Sequence, residues 1–257
     1  MVIKRAIDIA LAAGEILNEK LSSGVTVEHK GRIDLVTDAD RAAEEFIVQQ
    51  LERLFPRHGV LGEEGTQVEG SSDYLWVIDP VDGTTNFAHG FPYFAVSLGL
   101  LRGDDVVLGV VYNPQTKECF AAEKGSGALL NGRKISVSAQ STLEQSLLAT
   151  GFPYNIDTAE ENNLASFARA NLITQGVRSL GAASLDLCQV AAGRLDAFWE
   201  RSLEPWDIAA GSIIVREAGG KVTSCQGQTF RTFGREICAS NGLIHEGLVR
   251  LLSEVDR

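Results

Sequence analysis

The sequence lacks any apolar run long enough to span a bilayer. Its apolar start, from Met1 to Leu11 and on towards Leu17, is interrupted by Asp8 and Glu15, so no unbroken secretory core forms. A cytoplasmic protein is the resulting expectation. Cysteine is scarce and scattered: Cys119, Cys188, Cys225 and Cys238 include no close pair of the kind that holds zinc or shuttles disulfides, and buried reduced thiols are expected. His29, His58, His89 and His245 likewise fall at no metal-ligand spacing, and even His89, beside the motif described next, is expected to be structural or solvent-facing. Positive charge is in deficit, with Lys+Arg 23 against Asp+Glu 34 and a net charge of -11, which argues against nonspecific nucleic-acid binding through a basic face. Repeats and low-complexity tracts are absent as well. An acidic chain that handles an anionic ligand needs a local cation, and bound metal supplies one.

What is present is an ordinary globular composition, 44% hydrophobic over 257 residues, enough to bury a large core. The chain is organised around Trp76-Val77-Ile78-Asp79-Pro80-Val81-Asp82-Gly83-Thr84-Thr85-Asn86-Phe87. Its apolar first part reads as a buried strand that stops at Asp79, where Pro80 breaks the ladder. Asp82 adds a second carboxylate, Gly83 permits a turn, and Thr84, Thr85 and Asn86 offer hydroxyls, an amide and N–H groups. One bend thus carries oxygen ligands suited to a hard cation such as Mg2+ together with N–H groups suited to an anion.

Around this centre the periodicities predict an amphipathic first helix ending near Ser22-Ser23-Gly24, a short strand at Val25-Thr26-Val27, and a polar loop from His29 to Ile33. A second helix runs from Thr37-Asp38 to Pro56, where first-turn Asp38 and Asp40 suit the helix dipole whatever their function. A strand at Val60-Leu61 ends in the acids Glu63 and Glu64. A hairpin joins residues 94–101 and 106–112, and strands follow at 119–122 and 135–137. A change of texture near residues 138–142 divides an α+β lobe, residues 1–140, from an α/β lobe, residues 141–257. The second lobe reads as strand 146–150, helix 158–173, strand 177–180, a helix from Ala182 towards Gly193, strand 195–200 and a helix from Trp206-Asp207 to Gly219-Gly220. Asp207 would serve there as an N-terminal capping acid. Core sheet and a closing helix near His245 to Leu252 complete it.

The stretch from Asp79 to Phe87 resembles the first signature of the inositol monophosphatase family, and Trp206-Asp207-Ile208-Ala209-Ala210-Gly211 resembles its second. Gly62-Glu63-Glu64 and Asp34-Leu35-Val36-Thr37-Asp38-Ala39-Asp40 are similar to two further family blocks in the same order, so the likeness covers most of the chain. The resemblance implies a layered αβαβα sandwich of the sugar-phosphatase type. It also implies a Mg2+-dependent phosphomonoesterase in which Glu63, Asp79 and the Val81 carbonyl hold one metal and Asp79, Asp82 and Asp207 a second, activating a water for in-line displacement. Glu63 and Thr84, supported by Asp40, would place or deprotonate that water. Gly83 and Thr84 would bind phosphate through their N–H groups, while Ala182, Ala183, Glu200 and Asp207 would contact the polyol. Lys30, on a loop, would reach towards the site.

Inositol monophosphate is the first expected substrate. Histidinol phosphate, fructose 1,6-bisphosphate, other sugar phosphates and adenosine 3',5'-bisphosphate are the alternatives that the family offers. Lithium inhibition and a homodimer are implied too. A different class stays open, a regulatory protein that uses the same fold to bind a partner; the presence of Glu63, Asp79, Asp82, Thr84 and Asp207 together argues against a scaffold without catalysis.

Overall fold

Apolar residues return every three or four positions from Ala6 to Leu17, and Ala6, Ile9, Ala10, Ala13 and Leu17 are buried along one face of α1 (Val2–Ser23). The structure is a computed structural model that describes residues 2–24, 26–29, 35–159 and 162–255. Strands β1 (Val27–His29) and β2 (Leu35–Thr37) pair antiparallel and lead into α2 (Asp38–Leu54). Thr37 caps α2: its hydroxyl accepts from the N–H groups of Ala39 and Asp40, and the Asp40 carboxylate accepts in return from the Thr37 N–H. The helix ends two residues before Pro56, as the sequence predicts.

The strands that follow are β3 (Gly59–Gly62), β4 (Gln67–Val68) and β5 (Tyr74–Asp82). After the short helix α3 (Thr84–Ala88) come β6 (Ala95–Arg102), β7 (Asp105–Asn113), β8 (Glu118–Glu123), β9 (Ala128–Leu130) and β10 (Arg133–Lys134). These form an eight-stranded sheet in the order β10-β9-β8-β7-β6-β5-β3-β4, antiparallel except where β3 meets β5. Beyond it lie β11 (Leu147–Thr150), α4 (Leu164–Ile173), β12 (Gly176–Arg178), α5 (Ala183–Ala191), β13 (Ala197–Arg201), α6 (Pro205–Glu217), β14 (Lys221–Thr223), β15 (Glu236–Ser240) and α7 (His245–Val255). The second sheet has the order β12-β11-β13-β15-β14, parallel from β12 to β13 and antiparallel afterwards.

Packing stacks these parts in five layers. Helices α1 and α2 cover one face of the large sheet; α5 and α6 lie between the two sheets; α4 and α7 pair, α4 beside β12 and α7 beside β15 of the small sheet. The αβαβα sandwich is therefore present. Helix α6, although beyond residue 140, packs on β5, β6, β7 and β8 as well as on β14 and β15. Glycines make that approach possible: a Cβ on Gly99 would stand 2.7 Å from the Ala209 Cβ, and one on Gly109 would stand 2.9 Å from the Ala210 Cα.

Several boundaries depart from the expectations. β5 does not stop at Asp79 but continues to Asp82, with a break in register between them. Pro80 sits in that break, where no ladder hydrogen bond is required of it. The last strand of the large sheet is 133–134, not 135–137, because Val137 has left the sheet and donates its N–H to the Ala218 carbonyl. α4 begins at Leu164 and not near 158, since Asn163 takes a left-handed conformation (φ 64°) that a helix interior does not permit. The early strand is Val27–His29 and so runs two residues past its expected end; Val25 lies outside the described residues. Among the described residues no helix is long and apolar enough to cross a membrane.

Candidate metal and phosphate site

The ends of four elements meet at one cavity of about 500 Å³, lined by Glu63 after β3, by Asp79, Val81 and Asp82 of β5, by Gly83 and Thr84 at the start of α3, and by Asp207 of α6. The strand break at Pro80 is what allows this, because an unbroken strand would turn Asp79 and Asp82 to opposite faces, whereas here both line the same cavity. Asp79 Oδ1 accepts from the Val81 N–H at 2.8 Å, which fixes the bend locally. Gly83 turns it with φ 91°, and a Cβ there would press within 3.0 Å of the Gly181 carbonyl and 3.2 Å of the Ala182 Cβ.

Each acid has its own support. The Thr84 hydroxyl stands 3.2 Å from Asp40 Oδ1 and 3.1 Å from the Val81 carbonyl, so its single proton serves one of them at a time. Asp40 is fully buried, and burial pushes its carboxyl above the ordinary range against the bonds from Thr37 and Thr84. Asp82 Oδ2 accepts from both the N–H and the hydroxyl of Ser184. Asp207 is not the capping residue expected of it. Glu204 is the cap, Pro205 opens the helix, and Asp207 at the third position accepts from the Glu204 N–H at 2.8 Å.

Electrostatics then distinguish this cavity from an ordinary acidic cleft. Asp79 is held well above the carboxylate range, first by burial and then by the charges of Glu63, Asp82 and Asp207. Asp207 is raised by burial and then by Asp82. Burial raises Asp82 to about 6 even though Ser184 and the neighbouring N–H groups oppose the shift. Among the described lining residues only Arg235 is cationic, and it pairs with Glu204 at the rim, 2.8 Å away. A compact group of acids that disfavour one another's ionisation fits a divalent cation, and carboxylate and carbonyl oxygens suit a hard one. Among the described residues no three acidic, imidazole or thiol groups already form a ready coordination shell. Asp79, Asp82 and Asp207 are tied to neighbouring donors instead, yet they and Glu63 all open on the same cavity.

An adjoining hollow of about 260 Å³ shares Asp82, Gly83, Glu200 and Asp207 with the cavity and adds Gly181, Ala182 and Ala183. Glu200 lies within β13, which continues to Arg201, and its carboxylate stands against Gly151, which has no side chain to collide with it. Burial, then Asp207, Asp186 and Asp82, push the Glu200 carboxyl well upward.

The structure therefore brings together Asp40, Glu63, Asp79, Val81, Asp82, Gly83, Thr84, Ala182, Ala183, Glu200 and Asp207. Lys30 lies outside the described residues. His89 is exposed at the end of α3 and lines neither hollow. Glu64 contributes its backbone: its N–H donates to Glu44.

Three supports went unread in the sequence. Glu44, buried, accepts from the N–H groups of Glu64 and Thr66 and so shapes the turn that carries Glu63. Its one sequence signal is the i, i+4 spacing from Asp40 along the buried stripe of α2. Tyr93 donates its hydroxyl to buried Asp186 at 2.7 Å beside the smaller hollow. Ser184 resembled an ordinary helix-start serine, and no sequence signal pointed to its partner 102 residues away.

Comparison with known proteins agrees with this geometry. The inositol monophosphatase family pattern matches residues 1–257. The chain is 45% identical over 250 residues to an inositol-1-monophosphatase of Synechocystis sp., covering 96% of this chain and 87% of that protein. It is 47% identical over 229 residues to the Nus factor SuhB of Pseudomonas aeruginosa, covering 86% and 84%. A solved inositol monophosphatase from Anabaena (Nostoc) sp. superposes with a TM-score of 0.90 at 42% identity, over 98% of this chain and 95% of that one. With sequence and architecture matched from end to end around these carboxylates, the chain belongs to the inositol monophosphatase family.

Proposed function

We propose that the protein hydrolyses inositol monophosphate to inositol and phosphate, with Mg2+ held by Glu63, Asp79, the Val81 carbonyl, Asp82 and Asp207. The observation that carries this reading is the convergence of four carboxylates, from three separate chain segments, on a cavity that also presents the Gly83–Thr84 turn. When bound, the metal pair supplies Lewis acidity, which acidifies water and offsets the charge of the departing alkoxide. Thr84, donating to Asp40, keeps lone pairs with which to accept a hydrogen bond from the attacking water and so orient it, and Glu63 takes one proton from that water as it attacks. The N–H groups of Gly83 and Thr84 bind phosphate oxygens. Asp207 and Glu200 accept from polyol hydroxyls, and the small side chains of Ala182 and Ala183 let the ring approach the backbone.

The reading extends to a homodimer and to lithium sensitivity, both supported by family resemblance, and to a division into lobes 1–140 and 141–257, supported by the change of texture near residues 138–142. The four free, buried cysteines support a reducing, cytoplasmic compartment.

The test is steady-state turnover of the purified protein with Mg2+ on inositol monophosphate, histidinol phosphate, fructose 1,6-bisphosphate, other sugar phosphates and adenosine 3',5'-bisphosphate. Inositol monophosphate is expected to give the highest kcat/KM, and exclusive activity on the nucleotide bisphosphate would overturn the assignment. Asp82→Asn is expected to lose nearly all turnover with an unchanged circular dichroism spectrum, because a neutral amide holds a divalent cation poorly. Full activity in that variant removes Asp82 from the site.

A further inference from the structure

Asp82 belongs to the large sheet, yet it is gripped from the other side of the cavity. Ser184, wholly buried on the first turn of α5, donates its backbone N–H at 2.7 Å and its hydroxyl at 2.5 Å to Oδ2 of Asp82. A helix start offers N–H groups to any acid placed before it. The Ser184 hydroxyl is a further donor that the helix does not require, since alanine at 184 would leave α5 and its backbone N–H bond to Asp82 in place. It is a side-chain choice directed at one oxygen.

We propose that Ser184 is a positioning residue for metal binding. By holding Oδ2 of Asp82 with two donors, it fixes the rotation of the carboxylate and presents Oδ1 to the cation. Ligating carboxylates are commonly hydrogen-bonded in this way, and losing such a partner weakens metal binding without removing a ligand. The placement also links the two hollows. Ser184 follows Ala182 and Ala183, which line the smaller one, and the Gly181–Ala182 turn lies against Gly83, next to Asp82.

The proposal rests on Asp82 being a Mg2+ ligand, and the experiment separates the two statements. Mg2+ binding to the full chain is measured by titration calorimetry for the wild type, Ser184→Ala, Ser184→Cys and Asp82→Asn, together with the melting temperature of each without metal. Ser184→Ala and Ser184→Cys are expected to bind Mg2+ about tenfold more weakly, while kcat returns to near the wild-type value at saturating Mg2+. Ser184→Cys nearly keeps the side-chain volume, so it carries the test if Ser184→Ala folds poorly. Unchanged Mg2+ affinity in both serine variants, with Asp82→Asn impaired, overturns the role of Ser184 and leaves the ligand assignment standing. A kcat deficit that saturating Mg2+ does not recover also overturns it. Wild-type affinity in Asp82→Asn removes the ligand assignment and the proposal together.

Discussion

Gly151 shows how much of the site depends on what a residue omits. A Cβ at this position would overlap the carboxylate of Glu200, so glycine alone leaves that acid its place at the edge of the smaller hollow. Gly151→Ala is expected to raise KM for inositol monophosphate about tenfold, the worth of a charge-assisted hydrogen bond of about 1.5 kcal/mol, with a smaller change in kcat. Steady-state kinetics checks this, and an unaltered KM would detach Glu200 from the substrate. At this scale legibility follows chain distance. Asp79, Asp82, Gly83 and Thr84 are contiguous, and their purpose can be read from local chemistry: acids at a bend, a glycine, hydroxyls. Ser184 and Glu44 could not be read so, because each acts on a partner brought near only by folding, and a buried donor or acceptor looks in sequence like any surface serine or glutamate.

Among the elements, α6 carries the greatest burden. Its first turn holds Asp207 through the reciprocal bonds with Glu204, and its body lies between the two sheets. Gly109 lets β7 come against it, and Gly109→Ala would force a methyl into the Ala210 backbone and the Ile213 side chain, 2.8 Å from its Cγ2. Overpacking of this kind costs about 1–3 kcal/mol, so the melting temperature is expected to fall by about 2–4 °C for each kcal/mol, with activity reduced because Asp207 moves with the helix. A melting temperature within a degree of the wild type would show that the interface yields freely. Most elements were legible from periodicity and punctuation: the buried stripe of α1, the start of α2 at Thr37-Asp38 and its stop before Pro56, the hairpin of β6 and β7. The misplaced boundaries fall where tertiary contacts override local preference. Pro80 reads as a terminator, yet it sits inside β5 because the register break relieves it of a ladder bond. Residues 135–137 read as a strand, yet Val137 is drawn off to Ala218 of the layer between the sheets.

For the whole molecule, the grouping of acids makes stability depend on pH and metal together. An acid whose folded-state pKa is raised keeps a proton that the unfolded chain releases. Its contribution is complete below the ordinary carboxylate range and is lost as pH rises to the folded value, about 6 for Asp82, with Asp79, Asp207 and Glu200 likewise held well above the ordinary range. His245 works in the opposite sense: burial lowers it from 6.5 to about 4, so its contribution is lost as pH falls through that window. Mg2+ competes with protons for the carboxylates and not for His245, so the rise in melting temperature on adding Mg2+ is expected to be larger near pH 8 than near pH 5. Calorimetric scans with Mg2+ and with a chelator at both pH values decide it, and a larger rise at the lower pH would contradict a carboxylate metal site.

The sequence by itself determined the family, the presence of two sheets with helices between and around them, and the identity of the acids, since each is encoded in short stretches whose chemistry is local. Folding alone decided which oxygens share a cavity, which donors hold them and in what orientation. Those facts depend on side chains up to about a hundred positions apart coming within hydrogen-bond distance, and such proximity is a property of packing that no local pattern carries.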